Sequence, residues 1–142
     1  MSGAFFSAER LYRVAAALLV LFAAGHTVGF LTFTPPTREG VAVRDAMSGV
    51  HFRLGGSTLS YGGFYRGFGF SITASTLFLA MVAWCLAGMA RAGQQGSGLL
   101  GWGMCALQVV GLALSLRYFA APPAVGSVLL IVCLGFAAWK AG

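Results

Sequence analysis

The residues best suited to chemistry in this chain are one histidine and a few hydroxyl side chains inside long apolar segments. His26 and Thr27 lie in the first of these segments, and Ser71 and Ser75 begin the second. Polar groups inside a membrane segment are costly unless they are paired, and they often mark ligand or proton pathways. An imidazole can carry a proton or bind the polar end of a ligand, and hydroxyls can bind the same group. Antiparallel packing of the two segments would place all four side chains at similar depth, which predicts one polar site.

A second group of candidates lies in the connection over 34–67. Tyr61, Tyr65 and Arg66 belong to a run of glycine and aromatic residues over 55–70. One explanation of this run is an aromatic belt at the membrane surface. The other is a gate that holds these three side chains over a cavity. The candidates for a catalytic role, as proton carriers or charge-stabilising groups, are His26, His51 and Tyr65.

Gln108 lies near the middle of the third apolar segment, where it either joins the same site or links two helices by a hydrogen bond. The predicted ligand-binding residues are His26, Thr27, Tyr61, Tyr65, Arg66, Ser71, Ser75 and Gln108. The sequence has neither a Cys-x-x-Cys nor a His-x-x-x-His spacing, so no metal site is predicted. No cofactor can be named from these residues.

Four apolar segments must position these side chains. They run over about 11–33, 68–89, 99–116 and 124–139. A bilayer core of roughly 30 Å needs about 17 to 25 apolar residues per helix, and lipid offers the backbone no hydrogen-bond partners, so each segment is predicted to be a helix. The chain is 58% hydrophobic and only 8% charged, which excludes an ordinary water-soluble domain. The sequence therefore predicts an all-α, polytopic membrane protein: one domain over 1–142, built as an antiparallel four-transmembrane-helix bundle.

The long connection has a helical pattern of its own. Two prolines at 35 and 36 end the first helix, and Thr37 can cap the next one. The apolar side chains then recur at spacings of four, three and four: Val43, Met47, Val50 and Leu54. We expect an amphipathic helix over about 38–52, lying on the interface or folded back over the mouth of the bundle. The rest of 34–67 is predicted to be loop.

The net charge of +6 does not indicate nucleic acid, because the basic residues are spread among loops and helix ends. Membrane lipids are the expected partners of these arginines. The small-residue spacings Gly25/Gly29 and Gly111/Ser115 favour close helix contacts, which include contacts between copies in a homo-oligomer. The predicted location is the bacterial inner (cytoplasmic) membrane. Both termini are expected in the cytoplasm if Glu39 and Asp45 neutralise arginines of the long connection.

Several short motifs lie between residues 25 and 69. They are Gly25-His26-Thr27-Val28-Gly29, then Met47 and His51-Phe52, then Phe64-Tyr65-Arg66-Gly67-Phe68-Gly69 within a longer aromatic run. This pattern resembles a group of small bacterial four-span membrane proteins, and the resemblance implies the four-helix layout but no activity. In architecture the chain also resembles compact four-span proteins that hold sterols, quinones or lipids between helices. It lacks the membrane carboxylates of sterol-isomerase-like members of that architecture.

Three functions are compatible with these observations. The leading hypothesis is a membrane protein that binds a hydrophobic or lipid-like small molecule in a cavity beneath 34–67, with His26 at its polar end. The second is a membrane-embedded enzyme that acts on a lipid or isoprenoid, with His26 or His51 as the proton carrier. The third is a small channel or transporter formed by an oligomer.

Overall fold

The structure is a computed structural model, and it describes residues 7–119 and 121–142. Within these residues the chain forms five helices and one hairpin: α1 (Ala8–Thr32), α2 (Arg38–Gly49), β1 (His51–Leu54), β2 (Ser57–Ser60), α3 (Tyr61–Arg91), α4 (Ser97–Tyr118) and α5 (Ala121–Ala141). The helices α1, α3, α4 and α5 are long and apolar enough to cross a membrane. The chain is therefore an all-α, multi-pass membrane protein, as predicted.

The described residues divide into two compact units. The first contains α1 up to Phe22, α3 from Thr76, and all of α4 and α5. Its core is rich in alanine, and Ala15, Ala83 and Ala137 have no exposed surface. Small side chains of this kind let membrane helices pack closely. The larger core residues come from all four helices: Tyr12, Leu19, Leu86, Met104, Leu130 and Leu134.

The helices α4 and α5 pack against each other in opposite directions. A Cβ atom added at Gly98 would lie 3.0 Å from the carbonyl oxygen of Ala138, near the end of α5. One added at Gly111 would lie 3.8 Å from the Ser127 hydroxyl, near the start of α5. Ser115, one turn beyond Gly111, is also buried. The small residues Gly111 and Ser115 therefore lie at packed positions within the chain.

The second unit covers Ala23–Ser75 and contains the end of α1, all of α2, the hairpin and the start of α3. Thr37 caps α2, because its hydroxyl accepts a hydrogen bond from the Gly40 amide at 3.1 Å. The helix ends at Gly49 instead of continuing to residue 52, since the backbone at Val50 is extended and enters β1.

The hairpin that follows α2 was not expected from the sequence. Its two antiparallel strands pair His51 with Ser60 and Leu54 with Ser57. The two turn residues are glycines with φ of 56° and 82°, which is the backbone of a tight two-residue turn. The signal in the sequence is this glycine pair between two four-residue runs.

The helix α3 begins at Tyr61, before the predicted start at residue 68. Ser60 caps it, with its hydroxyl accepting a hydrogen bond from the Gly63 amide at 3.1 Å. Each glycine in a helix costs roughly 1 kcal/mol relative to alanine. Unpaired backbone groups in a membrane cost several kcal/mol each, so the helix continues through the glycine-rich run. Its 31 residues span about 46 Å, more than the roughly 30 Å of the hydrocarbon core.

The hairpin turn should be sensitive to a side chain at Gly56. Its φ of 82° disfavours a β-branched residue, so Gly56→Val is expected to weaken the hairpin by about 1–2 kcal/mol. Hydrogen–deuterium exchange of residues 51–60 should then become roughly tenfold faster. Gly67→Ala is the control, because a Cβ atom there meets nothing within 4 Å and its backbone is helical. Equal exchange in the two variants would contradict the assigned turn.

Candidate ligand-binding site

A cavity of about 410 Å³ lies within the second unit. It is bounded by the end of α1, one face of α2 and the first turns of α3. The lining residues are Phe30, Leu31, Thr32, Phe33, Thr34, Pro35, Gly40, Val43, Arg44, Met47, Ser48, Gly62, Tyr65 and Arg66. Ligand pockets in proteins usually measure about 300–1,000 Å³. This cavity is therefore large enough for a small molecule.

The wall of the cavity is apolar with two positive charges. Phe30, Leu31 and Val43 belong to its apolar part, while Arg44 and Arg66 supply guanidinium groups. No acidic side chain is among the lining residues of the described chain. This combination suits a ligand with an apolar body and a polar or negative end.

The two arginines differ in their partners. Arg44 forms an ion pair with the neighbouring Asp45, with Nη2 3.1 Å from Oδ1, and both side chains are largely exposed. Across residues 7–119 and 121–142, no carboxylate lies within ion-pair distance of Arg66. The charge of Arg66 is therefore available to the cavity.

Two glycines allow α2 to pack closely against its neighbours. A Cβ atom added at Gly40 would lie 2.7 Å from the Cβ of Pro35, which follows α1. One added at Gly62, in the first turn of α3, would lie 2.9 Å from the Ser48 hydroxyl and 3.3 Å from the Met47 carbonyl oxygen. Such distances leave no room for a side chain. The lack of a Cβ at these positions thus allows α2 to form one side of the cavity.

His26 contacts the backbone of α3 outside the cavity lining. Its Nε2 lies 3.3 Å from the Gly69 carbonyl oxygen, so the tautomer protonated at Nε2 donates to that carbonyl. Its ring lies 5.3 Å from that of Phe30, which does line the cavity. A Cβ atom added at Gly69 would come within 2.9 Å of the Phe30 ring. His26 and Phe30 together fix the end of α1 on α3.

Thr27 continues this contact between α1 and α3. Its hydroxyl donates to the Ala23 carbonyl at 2.8 Å and lies 2.8 Å from the Thr73 hydroxyl. Thr73 in turn donates to the carbonyl of Gly69, which His26 also approaches. These side chains form a polar cluster that joins two helices, beside the cavity and not in its wall.

The remaining aromatic and histidine candidates lie on the hairpin side of the second unit. The ring of Tyr61 packs against Phe52, with centroids 4.8 Å apart, and Tyr61 does not line the cavity. The exposed His51 has its Nδ1 2.8 Å from the Gly49 carbonyl oxygen. Neither residue reaches the cavity wall. Of the three residues of the predicted gate, Tyr61, Tyr65 and Arg66, the last two line the cavity.

The last polar candidates are dispersed. Ser71 donates to the Gly67 carbonyl at 3.0 Å and borders a separate shallow groove on α3. Ser75 is exposed on the same helix. Gln108 is half-buried on α4 and belongs to the first unit. None of these three lines the cavity.

Sequence reasoning missed the contribution of α2 to the cavity wall. The lining residues of this helix are Gly40, Val43, Arg44, Met47 and Ser48. Their spacing of three and four residues is that of one helix face, so the pattern was present in the sequence. The sequence-based prediction uses only the apolar members of this face, Val43 and Met47.

Among the residues that the structure describes, no three His, Cys, Asp or Glu side chains lie close enough together to hold a metal ion. No protein-family model matches the chain, and comparison with curated proteins and with solved structures gives no match. Function must therefore be inferred from the cavity and the chemistry of its wall.

Proposed function

We propose that this chain is an integral membrane protein that binds a hydrophobic or lipid-like small molecule in the cavity between α1, α2 and α3. The observation that carries the proposal is the wall itself, in which an apolar surface from Phe30, Leu31 and Val43 adjoins the cations Arg44 and Arg66. Molecules with an apolar body and a polar end match this division. Tyr65 and Arg66 bind the polar end, and the residues of α1 bind the apolar body.

The cavity lies at the membrane interface in this proposal. The helix α3 is longer than the hydrocarbon core requires, and the cavity adjoins its first turns, at Gly62, Tyr65 and Arg66. Tyrosine and arginine are typical of that depth. A cavity at this level opens to both lipid tails and head groups, so a membrane-dissolved ligand can enter it.

The proposal places an antiparallel bundle of four helices in the inner membrane of a bacterium, with both termini in the cytoplasm. A shared core from α1, α3, α4 and α5 supports the bundle. Arg44 is paired with Asp45, and discounting this arginine in the long connection favours cytoplasmic termini.

A binding role fits the cavity better than a catalytic one. The catalytic hypothesis needs His26 or His51 as a proton carrier, and neither lines the cavity. Both imidazoles lie instead within hydrogen-bond distance of backbone carbonyls, at Gly69 and Gly49. Of the three catalytic candidates only Tyr65 lines the cavity, so the geometry supports ligand recognition better than a proton transfer that depends on a histidine.

A bulky side chain at Val43 should exclude the ligand. Val43 lines the cavity, whereas Ala46 lies on the same helix, is exposed and does not line it. We expect Val43→Trp to reduce the fraction of protein with a co-purified molecule by about tenfold or more, as native mass spectrometry with lipid extraction would measure. The matched variant Ala46→Trp should retain the wild-type occupancy.

Two results would contradict the proposal. One is a wild-type protein that carries no discrete molecule after gentle purification and takes up none from added lipid extract. The other is equal occupancy in Val43→Trp and Ala46→Trp, since the bound molecule would then lie outside the cavity. Thermal unfolding of both variants confirms that each is folded before occupancies are compared.

A further inference from the structure

We infer that the cavity selects an anionic amphiphile with a single apolar chain, and that Arg66, assisted by Arg44, binds its phosphate or carboxylate head group. This inference rests on the proposed function and narrows its ligand class. It depends on the charges of the lining residues, on the start of α3 and on the size of the cavity.

The charge of the wall favours an anion. Its two cations are not matched by any acidic lining residue in the described chain. The guanidinium of Arg44 is partly neutralised by Asp45, but no carboxylate lies within 4.0 Å of the Arg66 guanidinium across residues 7–119 and 121–142. A guanidinium group offers a planar fork of N–H donors that fits a phosphate or carboxylate. Arg66 is therefore the main head-group ligand.

The first turn of α3 adds to the same preference. Gly62 lies in this turn and lines the cavity, on the same helix as Tyr65 and Arg66. The start of a helix carries the positive end of its dipole and amide groups without helical partners, and it favours negative charge. The dipole and the Arg66 charge therefore both favour an anion in the cavity.

The size of the cavity limits how large the apolar part of the ligand can be. Phe30 and Leu31 come from the end of α1, Phe33 follows that helix, and Val43 comes from α2. A volume of about 410 Å³ is near the lower end of the roughly 300–1,000 Å³ that drug-sized ligands occupy. A diacyl phospholipid is larger than such ligands. The cavity therefore suits a head group with one chain, such as a fatty acid or a monoacyl phosphate.

The test compares three probes on the purified full chain in a neutral detergent: oleoyl lysophosphatidic acid, the matched monooleoylglycerol, and inorganic phosphate. We expect the monoacyl phosphate to bind at least about tenfold more tightly than the neutral monoacylglycerol. Arg66→Gln should remove this preference, and Arg66→Lys should keep part of it because the charge remains. Arg53→Gln is the matched control, since Arg53 is exposed on β1 and does not line the cavity.

The possible results separate the two proposals. Equal binding of both amphiphiles, or a preference that Arg66→Gln leaves intact, would overturn the head-group inference and leave the cavity proposal standing. Failure of both amphiphiles to bind would contradict the proposed function as well. If inorganic phosphate binds as tightly as the monoacyl phosphate, the site binds a free anion. The inferred contribution of the ligand's acyl chain to binding would then be overturned.

Discussion

Replacing Gly101 by alanine is expected to lower the free energy of unfolding by about 2 kcal/mol, because the position has no room for a methyl group. A Cβ atom there would overlap the hydroxyl of Tyr12 and lie 3.0 Å from the Cβ of Ala138. Tyr12 is fully buried, and its hydroxyl donates to the Ser97 carbonyl at 2.8 Å. The ring cannot move aside without breaking this buried hydrogen bond. Thermal unfolding in detergent micelles, monitored by circular dichroism, measures the effect.

Gly103→Ala provides the control for this substitution. It adds the same methyl group to the same helix, but a Cβ atom at Gly103 meets nothing within 4 Å. Alanine is a better helix former than glycine by roughly 0.5–1 kcal/mol, so this variant should be as stable as the wild type or more stable. Gly101→Ala is thus expected to lower the free energy of unfolding, and Gly103→Ala is not.

A double-mutant cycle identifies the atom responsible. Tyr12→Phe removes the hydroxyl that the new methyl group would meet, at the cost of one buried hydrogen bond, about 1 kcal/mol. Gly101→Ala should then cost at least about 1 kcal/mol less in the Tyr12→Phe background than in the wild type. Equal costs in both backgrounds would show that the overlap with Tyr12 is not the cause.

The four long helices were predictable because their signal is local. Each depends on the length of an apolar run, which can be read without knowledge of the fold. The ends are less predictable, since polar residues can extend a helix past its apolar run. The helix α1 begins at Ala8 instead of Leu11, where Ser7 accepts a hydrogen bond from the Arg10 amide and Arg13 pairs with Glu9 at 2.8 Å.

The second unit was less predictable because long-range contacts build it. The amphipathic pattern predicts a helix near Arg38–Gly49, but the packing position of that helix depends on the close contact between Gly62 and Ser48. No pattern within α2 indicates which distant glycine the helix will pack against. The sequence predicts loop for the run after Ser60 because the second apolar segment begins at residue 68, whereas the membrane environment favours a continuous helix.

The candidate site shows the same limit at the level of single residues. Tyr65 and Arg66 were singled out for their chemistry, and the structure places both in the wall of one cavity. The Nε2 of His26 lies within hydrogen-bond distance of a backbone carbonyl, that of Gly69, and every residue carries such a group. Sequence alone therefore could not tell that this histidine lies against a helix backbone next to the cavity.

Replacing Gly62 by alanine is expected to displace α2 and with it one side of the cavity. A methyl group there would come within 2.9 Å of the Ser48 hydroxyl and 3.3 Å of the Met47 carbonyl oxygen. Overpacking of this kind costs about 1–3 kcal/mol, and here α2 can relieve it by lifting away from α3. Hydrogen–deuterium exchange of residues 38–49 should rise roughly tenfold, and the occupancy of the co-purified molecule should fall with it.

The matched variants make the cause of this loss clear. Gly67→Ala adds a methyl group on the same helix where nothing lies within 4 Å, so exchange in α2 and ligand occupancy should stay at wild-type values. Ser48→Ala removes the hydroxyl closest to the added methyl group, and combined with Gly62→Ala it should restore part of both. If hydrogen–deuterium exchange in α2 is equally slow in Gly62→Ala and Gly67→Ala, the helix does not pack on α3 at Gly62. The two arginines would then have no common wall, and neither the cavity nor its head-group site could form as described.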